Sequence, residues 1–264
     1  MVYYGTTDVG KKRTANQDTF TVKEYPGGVT LAVVCDGMGG ANGGATASSL
    51  AVSSFVDHID GYADLLSGMS PEPEGTRENA ISIPAVLENA VSAANLAVYA
   101  KSVSDPELEG MGTTLVSVLA TDEYIFAVNV GDSRMYLIDR NGIRQITRDH
   151  SYVQHLIDLG RLSPRKARTA RNKNIITRAV GTEETVRADV FRIEKKSAED
   201  GGPTYALLCT DGLSNMAEPE EIAGIVAVRE SADVDSLKKS AEDLIKLAND
   251  RGGADNITAV ILAY

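Results

Sequence analysis

Sulfur and imidazole are scarce in this chain, which has two cysteines and three histidines in 264 residues. Cys35 and Cys209 lack a C-x-x-C partner, and each closes an apolar run, so both read as small core residues. Disulfide scaffolding and a zinc site, which recruits histidine or thiolate, are set aside. No apolar run approaches the ~20 residues needed to cross a bilayer. Met1-Val2-Tyr3-Tyr4-Gly5 has neither the basic nor the apolar part of a leader. The expectation is a cytoplasmic protein with no membrane segment. Positive charge is in short supply too: a net charge of −11 argues against a nucleic-acid partner, since such binding needs clustered cations. The calcium-loop pattern D-x-D-x-D-G is also absent.

What the chain does have is aspartate at the ends of apolar runs. Asp36 follows Leu31-Ala32-Val33-Val34-Cys35, Asp132 follows Ala127-Val128-Asn129-Val130-Gly131, Asp211 follows Ala206-Leu207-Leu208-Cys209-Thr210, and Asp255 precedes Ile257-Thr258-Ala259-Val260-Ile261. Burying one bare carboxylate costs on the order of several kcal/mol, so a chain that repeats the arrangement gathers these groups around cations. An all-oxygen set suits magnesium or manganese. Asp36-Gly37 and Asp211-Gly212 echo each other, and glycine at those corners lets the backbone turn sharply and approach an ion with its carbonyl.

The 43% hydrophobic content supplies ample core, and ligands spread from 36 to 255 favour one domain. Helical spacing is predicted over Ala45 to Ile59, Pro84 to Ser102, Ser151 to Leu159 and from Leu237 to Ala248. Residues 61–83, with Pro71-Glu72-Pro73-Glu74-Gly75, read as a loop or insertion. Leu115 to Leu119, Tyr124 to Val130 and Met135 to Asp139 are short β-rich runs, the last leading into the hairpin signal Asn141-Gly142. Consecutive hairpins with helices before and after favour an α+β fold of antiparallel sheets covered by helices. Between Arg161 and Arg178 stand seven basic residues and no acidic one, either a solvated face or an attractor for an anionic substrate.

Seven segments then carry a family resemblance in order: Arg13-Thr14-Ala15-Asn16-Gln17-Asp18, Asp36-Gly37-Met38-Gly39-Gly40, Gly112-Thr113-Thr114, Asn129-Val130-Gly131-Asp132-Ser133-Arg134, Thr147-Arg148-Asp149-His150-Ser151, Thr210-Asp211-Gly212-Leu213 and Asp255-Asn256-Ile257-Thr258. Together they resemble the metal-dependent serine/threonine protein phosphatases of the phosphatase 2C family, in the form of its bacterial branch. The resemblance implies a four-layer α-β-β-α sandwich, with two central antiparallel β-sheets flanked by helices. It implies one catalytic domain over residues 1–264, with a flap at about 151–180. It also implies action on phosphorylated proteins, namely a serine/threonine kinase and its substrates, and a monomer is expected.

Carried over by motif, Asp36 bridges two Mn2+ or Mg2+ ions, the Gly37 carbonyl binds one of them, and Asp211 and Asp255 bind the other. Asp132 resembles a ligand of a third ion shared with Asp211. Asp18 stands behind the ligands, holding water, and Arg13 grips the substrate phosphate. The implied reaction is direct attack by a metal-bridging hydroxide, with no phosphoenzyme. Taken singly, Arg13 reads equally as a surface ion pair, Asp18 as a cap, and Asp132-Ser133-Arg134 as a hairpin corner. Thr113 and Thr114 read as β-structure. Met38 stands where the eukaryotic branch has a histidine proposed as general acid. His150 is a candidate substitute or a satisfied structural group. Asn215 replaces a further aspartate. In the flap, Arg165, Lys166, Arg168 and Arg171 are the candidate substrate-recognition residues. A non-catalytic relative would be expected to lose ligands, and this chain keeps Asp36, Asp211 and Asp255.

Overall fold

The computed structural model describes residues 1–72, 81–195, 203–227 and 232–264. The Pro73-Glu74-Gly75 part of the expected insertion lies outside the described residues.

Two antiparallel sheets form the centre. The first has the order β1(Val2–Asp8), β11(Ile257–Ala263), β10(Tyr205–Cys209), β7(Arg134–Asp139), β8(Gly142–Gln145). The second has the order β2(Asp18–Tyr25), β3(Val29–Met38), β5(Leu115–Ala120), β6(Tyr124–Val130), β9(Asp189–Glu194), with β4(Gly112–Thr113) paired to the far end of β3. Against the second sheet pack α1(Gly40–Asp60) and α2(Ile83–Ser104). Against the first pack α6(Pro219–Val226) and α7(Val234–Asp250). The flap contributes α3(Tyr152–Asp158) and α4(Pro164–Ala167), while α5(Asp211–Ser214) follows β10. The expected four-layer sandwich is the observed one.

Period-two alternation explains the layering. Leu31, Val33 and Cys35 of β3 face the helices, whereas Ala32 and Val34, with Val116 and Val118 of β5, face Leu208, Val260 and Leu262 of the other sheet. Strands buried on both faces read as continuous apolar runs, and that is how β3, β6, β10 and β11 appear in the sequence. The edge strands β1, β8, β2 and β9 are half-exposed and polar, and carry no such signal.

The helices begin where local chemistry dictates. Ser82 caps α2, accepting from the Ala85 N–H at 3.3 Å, with Pro84 in the first turn, and Ser151 caps α3 by accepting from the Gln154 N–H at 3.2 Å. Helix α1 starts at Gly40, earlier than the predicted Ala45, so the glycine-rich segment is itself helical. Gly44 has to be small there, because a Cβ on it would meet the Gln17 side chain and the Gly37 carbonyl carbon.

Candidate metal centre

The loops at one end of the sandwich bring the predicted aspartates together. Asp18 opens β2 directly opposite Asp36 on β3. Asp211 follows β10 and Asp255 precedes β11, on paired strands of the other sheet. Asp132 sits in the turn between β6 and β7, just after Gly131 at φ +108°. Asp36, Gly37, Asp132, Asp211, Asp255 and Arg13 all line one cavity of about 460 Å3, with Gln17, Met38, Thr114, Asn174 and Ile176 completing its wall.

The glycines of the two Asp-Gly corners serve close backbone packing. A Cβ on Gly37 would collide with the Gly44 carbonyl, and one on Gly212 with the Asn256 carbonyl. Neither glycine has a positive φ. The sharp turn expected there is therefore a tight approach of backbone layers.

Electrostatics at this end is dominated by the burial of the carboxylates, with their mutual repulsion second. Burial, then the charges of Asp18, Asp211, Asp132 and Asp255, push the Asp36 carboxyl far above the usual range. Burial also raises Asp132 to about 8, with Asp211 and Asp149 adding to the effect. For Asp211 the value is about 6, from burial and then Asp255. Asp18 reaches about 7, mainly through burial and in spite of hydrogen bonds from Thr258 and Thr210. Asp18 lies behind the cavity wall, its Oδ2 accepting from Thr258 Oγ1 at 2.7 Å and Thr210 Oγ1 at 2.9 Å, while its buried Oδ1 has no protein donor.

A divalent cation fits this donor set. Oδ1 of Asp211 is buried with no donor, and carboxylates from four separate strand ends face one cavity. Among the described residues no three acidic, histidine or cysteine side chains already stand as a ligand group. Two of the aspartates are engaged by other side chains. Arg13 grips Asp255 with both arms, Nη2 to Oδ2 and Nε to Oδ1 at 2.8 Å each. Asn215 Nδ2 donates to Asp211 Oδ2 at 2.9 Å, and Lys173 Nζ from the flap donates to Asn215 Oδ1 at 3.2 Å.

Several residues stand in the family segments without a role legible in the sequence, and the structure shows what they hold. Thr114 donates its backbone N–H to the Asp36 carbonyl, its Oγ1 accepts from the Asp36 N–H, and that hydroxyl also bonds Ser133 beside Asp132. Thr113 Oγ1 donates to the same Asp36 carbonyl. Asn256 accepts from the Gln17 N–H and donates to the carbonyls of Val9 and Ala15, which pins the loop bearing Arg13. Threonine in a β-run looks like an ordinary strand former, so only the pairing of strands reveals these roles.

The flap separates the basic run into two groups. Arg165 and Lys166 are exposed, and Arg165 lines a second cleft of about 590 Å3 that meets the first at Asp132 and Asp211. Arg171 is exposed but lines neither cavity. Arg168 also lines the second cleft, and in addition it donates to the carbonyls of Ala217 and Ser214 and pairs with Glu218 at 2.8 Å, clamping residues 151–180 to the α5–α6 connection. His150 does not line the first cavity either.

A sandwich whose end gathers carboxylates around room for cations, with a guanidinium at the rim, defines a metal-dependent hydrolase of phosphate esters. Residues 9–257 match the protein phosphatase 2C family, and the chain belongs to it. It is 34% identical over 256 residues to the serine/threonine phosphatase stp of Listeria welshimeri, covering 97% of this chain and 93% of that one. It is equally 34% identical to the serine/threonine protein phosphatase PstP of Mycobacterium tuberculosis over 98% of this chain, which spans 44% of that relative's length. Among solved structures, the serine/threonine phosphatase Stp1 of Staphylococcus aureus superposes with a TM-score of 0.82 at 31% identity, covering 100% of this chain and 95% of that one. The catalytic domain of PstP in complex with two manganese ions gives a TM-score of 0.77 at 32% identity, covering 98% and 96%.

Proposed function

We infer that this chain is a metal-dependent phosphoprotein phosphatase acting on phosphoserine and phosphothreonine, built as a single catalytic domain with a flap. The observation that carries the site assignment is the convergence of Asp36, Asp132, Asp211 and Asp255 on one cavity with Arg13 at its rim. Asp36, the Gly37 carbonyl, Asp211 and Asp255 would hold two ions, manganese or magnesium, and Asp132 with Asp211 a third. Such ions, when bound, supply positive charge to the phosphoryl oxygens and lower the pKa of a water towards neutrality.

The chain's own groups do the rest. A phosphate monoester repels an anionic nucleophile, so every fixed cation or donor facing its oxygens lowers the barrier. Arg13 presents a planar fork matched to two phosphate oxygens, and it has to leave Asp255 to do so. Asp18 keeps one buried oxygen without a protein donor, placed to accept a hydrogen bond from water and so to fix its orientation. The Met38 side chain has no proton to give, so the leaving alkoxide takes its proton from solvent. Exposed Arg165, Lys166 and Arg171 provide the positive field for phosphorylated proteins, the products of a serine/threonine kinase.

The test is release of phosphate from a phosphothreonine peptide with and without Mn2+. Asp36→Asn is expected to abolish it, and full activity in that variant or in chelator would refute the assignment. Among the described residues no helix is long and apolar enough to cross a membrane.

A further inference from the structure

His150 is 9% exposed and stands outside both cavities, yet it makes five close contacts at one joint of the molecule. Its backbone N–H donates to the Gly131 carbonyl at 2.8 Å, and its ring Nδ1 accepts from the Gly131 N–H at 3.1 Å. Both polar groups of the residue preceding Asp132 are thus held by one side chain and its own backbone. An amide N–H can only donate, so Nδ1 carries no proton and the proton of the neutral ring lies on Nε2. From there it donates to Asp189 Oδ2 at 3.1 Å. Arg178 Nη1 lies 3.0 Å from the same nitrogen as a fellow donor, and bonds Asp189 Oδ1 at 2.9 Å and the Arg187 carbonyl at 3.0 Å. Burial holds the His150 pKa below its ordinary value, in keeping with a neutral ring.

The same residue also ties the flap. The His150 carbonyl accepts from the Thr177 N–H at 2.7 Å, Ser151 pairs with Ile176, and the Tyr152 N–H donates to the Ile175 carbonyl at 2.9 Å. The outgoing and returning ends of the flap therefore meet at His150, and Ile176 on the returning end lines the catalytic cavity.

We propose that His150 is a positioning residue that sets the Asp132 carboxylate and the returning end of the flap in one fixed relation, its Nδ1 acting on the ion site and its Nε2 on the substrate wall. This rests on the assignment of Asp132 as a cation ligand. Partners that orient ligands typically shift metal affinity by about 10–100-fold when lost.

Two conservative variants divide the ring. His150→Asn keeps an acceptor near the Nδ1 position and loses the reach to Asp189, whereas His150→Gln keeps a donor near Nε2 and loses the acceptor for Gly131. Mn2+ binding is measured by calorimetry on the full chelator-treated chain, and steady-state kinetics use a phosphothreonine peptide and p-nitrophenyl phosphate, with melting temperature as control. His150→Gln is expected to weaken the most weakly bound Mn2+ about tenfold and lower kcat on both substrates with KM near its starting value. His150→Asn is expected to leave Mn2+ affinity within about twofold and raise KM several-fold for the peptide alone. Indistinguishable profiles in the two variants, or losses that follow only the melting temperature, would overturn the proposal. Asp132→Asn serves as reference: unchanged Mn2+ binding there refutes the ligand assignment, while weakened binding there with an unaffected His150→Gln refutes the positioning role.

Discussion

The carboxylate floor and the flap are built from opposite materials. Each aspartate of the floor stands at or beside the end of a strand whose interior is buried in one of three apolar layers, so the sandwich core fixes where the carboxylates sit. The flap between Ser151 and Val180 has two short helices and is joined to the body by the His150 joint, the Arg168 clamp, the Lys173–Asn215 contact and the Thr113–Val180 bridge. In the proposed function, chemistry that tolerates little displacement falls to strand ends, and recognition that must admit different protein surfaces falls to a segment held at a few points.

The comparison can be broken most forcefully at the floor. Asp36→Asn is expected to lower kcat by about a thousandfold or more, in a phosphate-release assay at saturating Mn2+, because it removes the carboxylate shared by both proposed ions. The melting temperature of that variant should hold or rise, since a repelling charge is gone. Arg13→Ala is the next largest, with about a hundredfold loss in kcat/KM. The same change should tighten Mn2+ binding by about two- to fivefold in calorimetry, the range of an exposed ion pair, because Asp255 is then unshared.

Acidity tests the floor as a whole. Asp211, Asp18 and Asp132 have folded values of about 6, 7 and 8 against 3.8 for the free side chain, so the fold binds protons more tightly than the unfolded chain does. Stability from these groups is therefore greatest at low pH and is lost as pH rises from about 4 to about 8. Chelator-treated protein should melt at progressively lower temperature across that window, and added Mn2+ should remove the dependence at its upper end. A flat profile would mean that the carboxylates are not buried and crowded as described.

The smallest effects belong to the flap, and they sharpen the contrast. Neutralising Arg165, Lys166 and Arg171 together should raise KM several-fold for phosphopeptides and leave p-nitrophenyl phosphate unchanged, with stability unaltered. Arg168→Ala should instead destabilise the protein by about 1 kcal/mol in denaturant unfolding, from lost bonds to the Ala217 and Ser214 carbonyls.

Legibility in the sequence followed the same division. Runs such as Leu31 to Cys35 and Ala206 to Cys209 are apolar on both faces, so their strands and the aspartates after them stood out. β1 and β9 did not, since Thr6, Asp8, Arg192 and Glu194 alternate in a half-solvated surface that resembles a loop. The roles of Thr114, Thr210, Thr258 and Asn256 arise only when distant strands meet, and no local spacing encodes them. A cluster of basic residues likewise does not say which member is tied, and Arg168 becomes distinct from Arg165 only through its carbonyl partners.

Cys35 and Cys209 each stand within two residues of a floor aspartate, fully enclosed on the helix-facing side of their strands, and burial raises both thiols well above their ordinary range. Alkylating reagents should consequently find neither sulfur while the enzyme is intact, which separates this catalyst from phosphatases that depend on a thiolate. Slow labelling under native conditions would then act as a clock for momentary parting of strand and helix directly beneath the aspartates, reporting separately from each half of the sandwich.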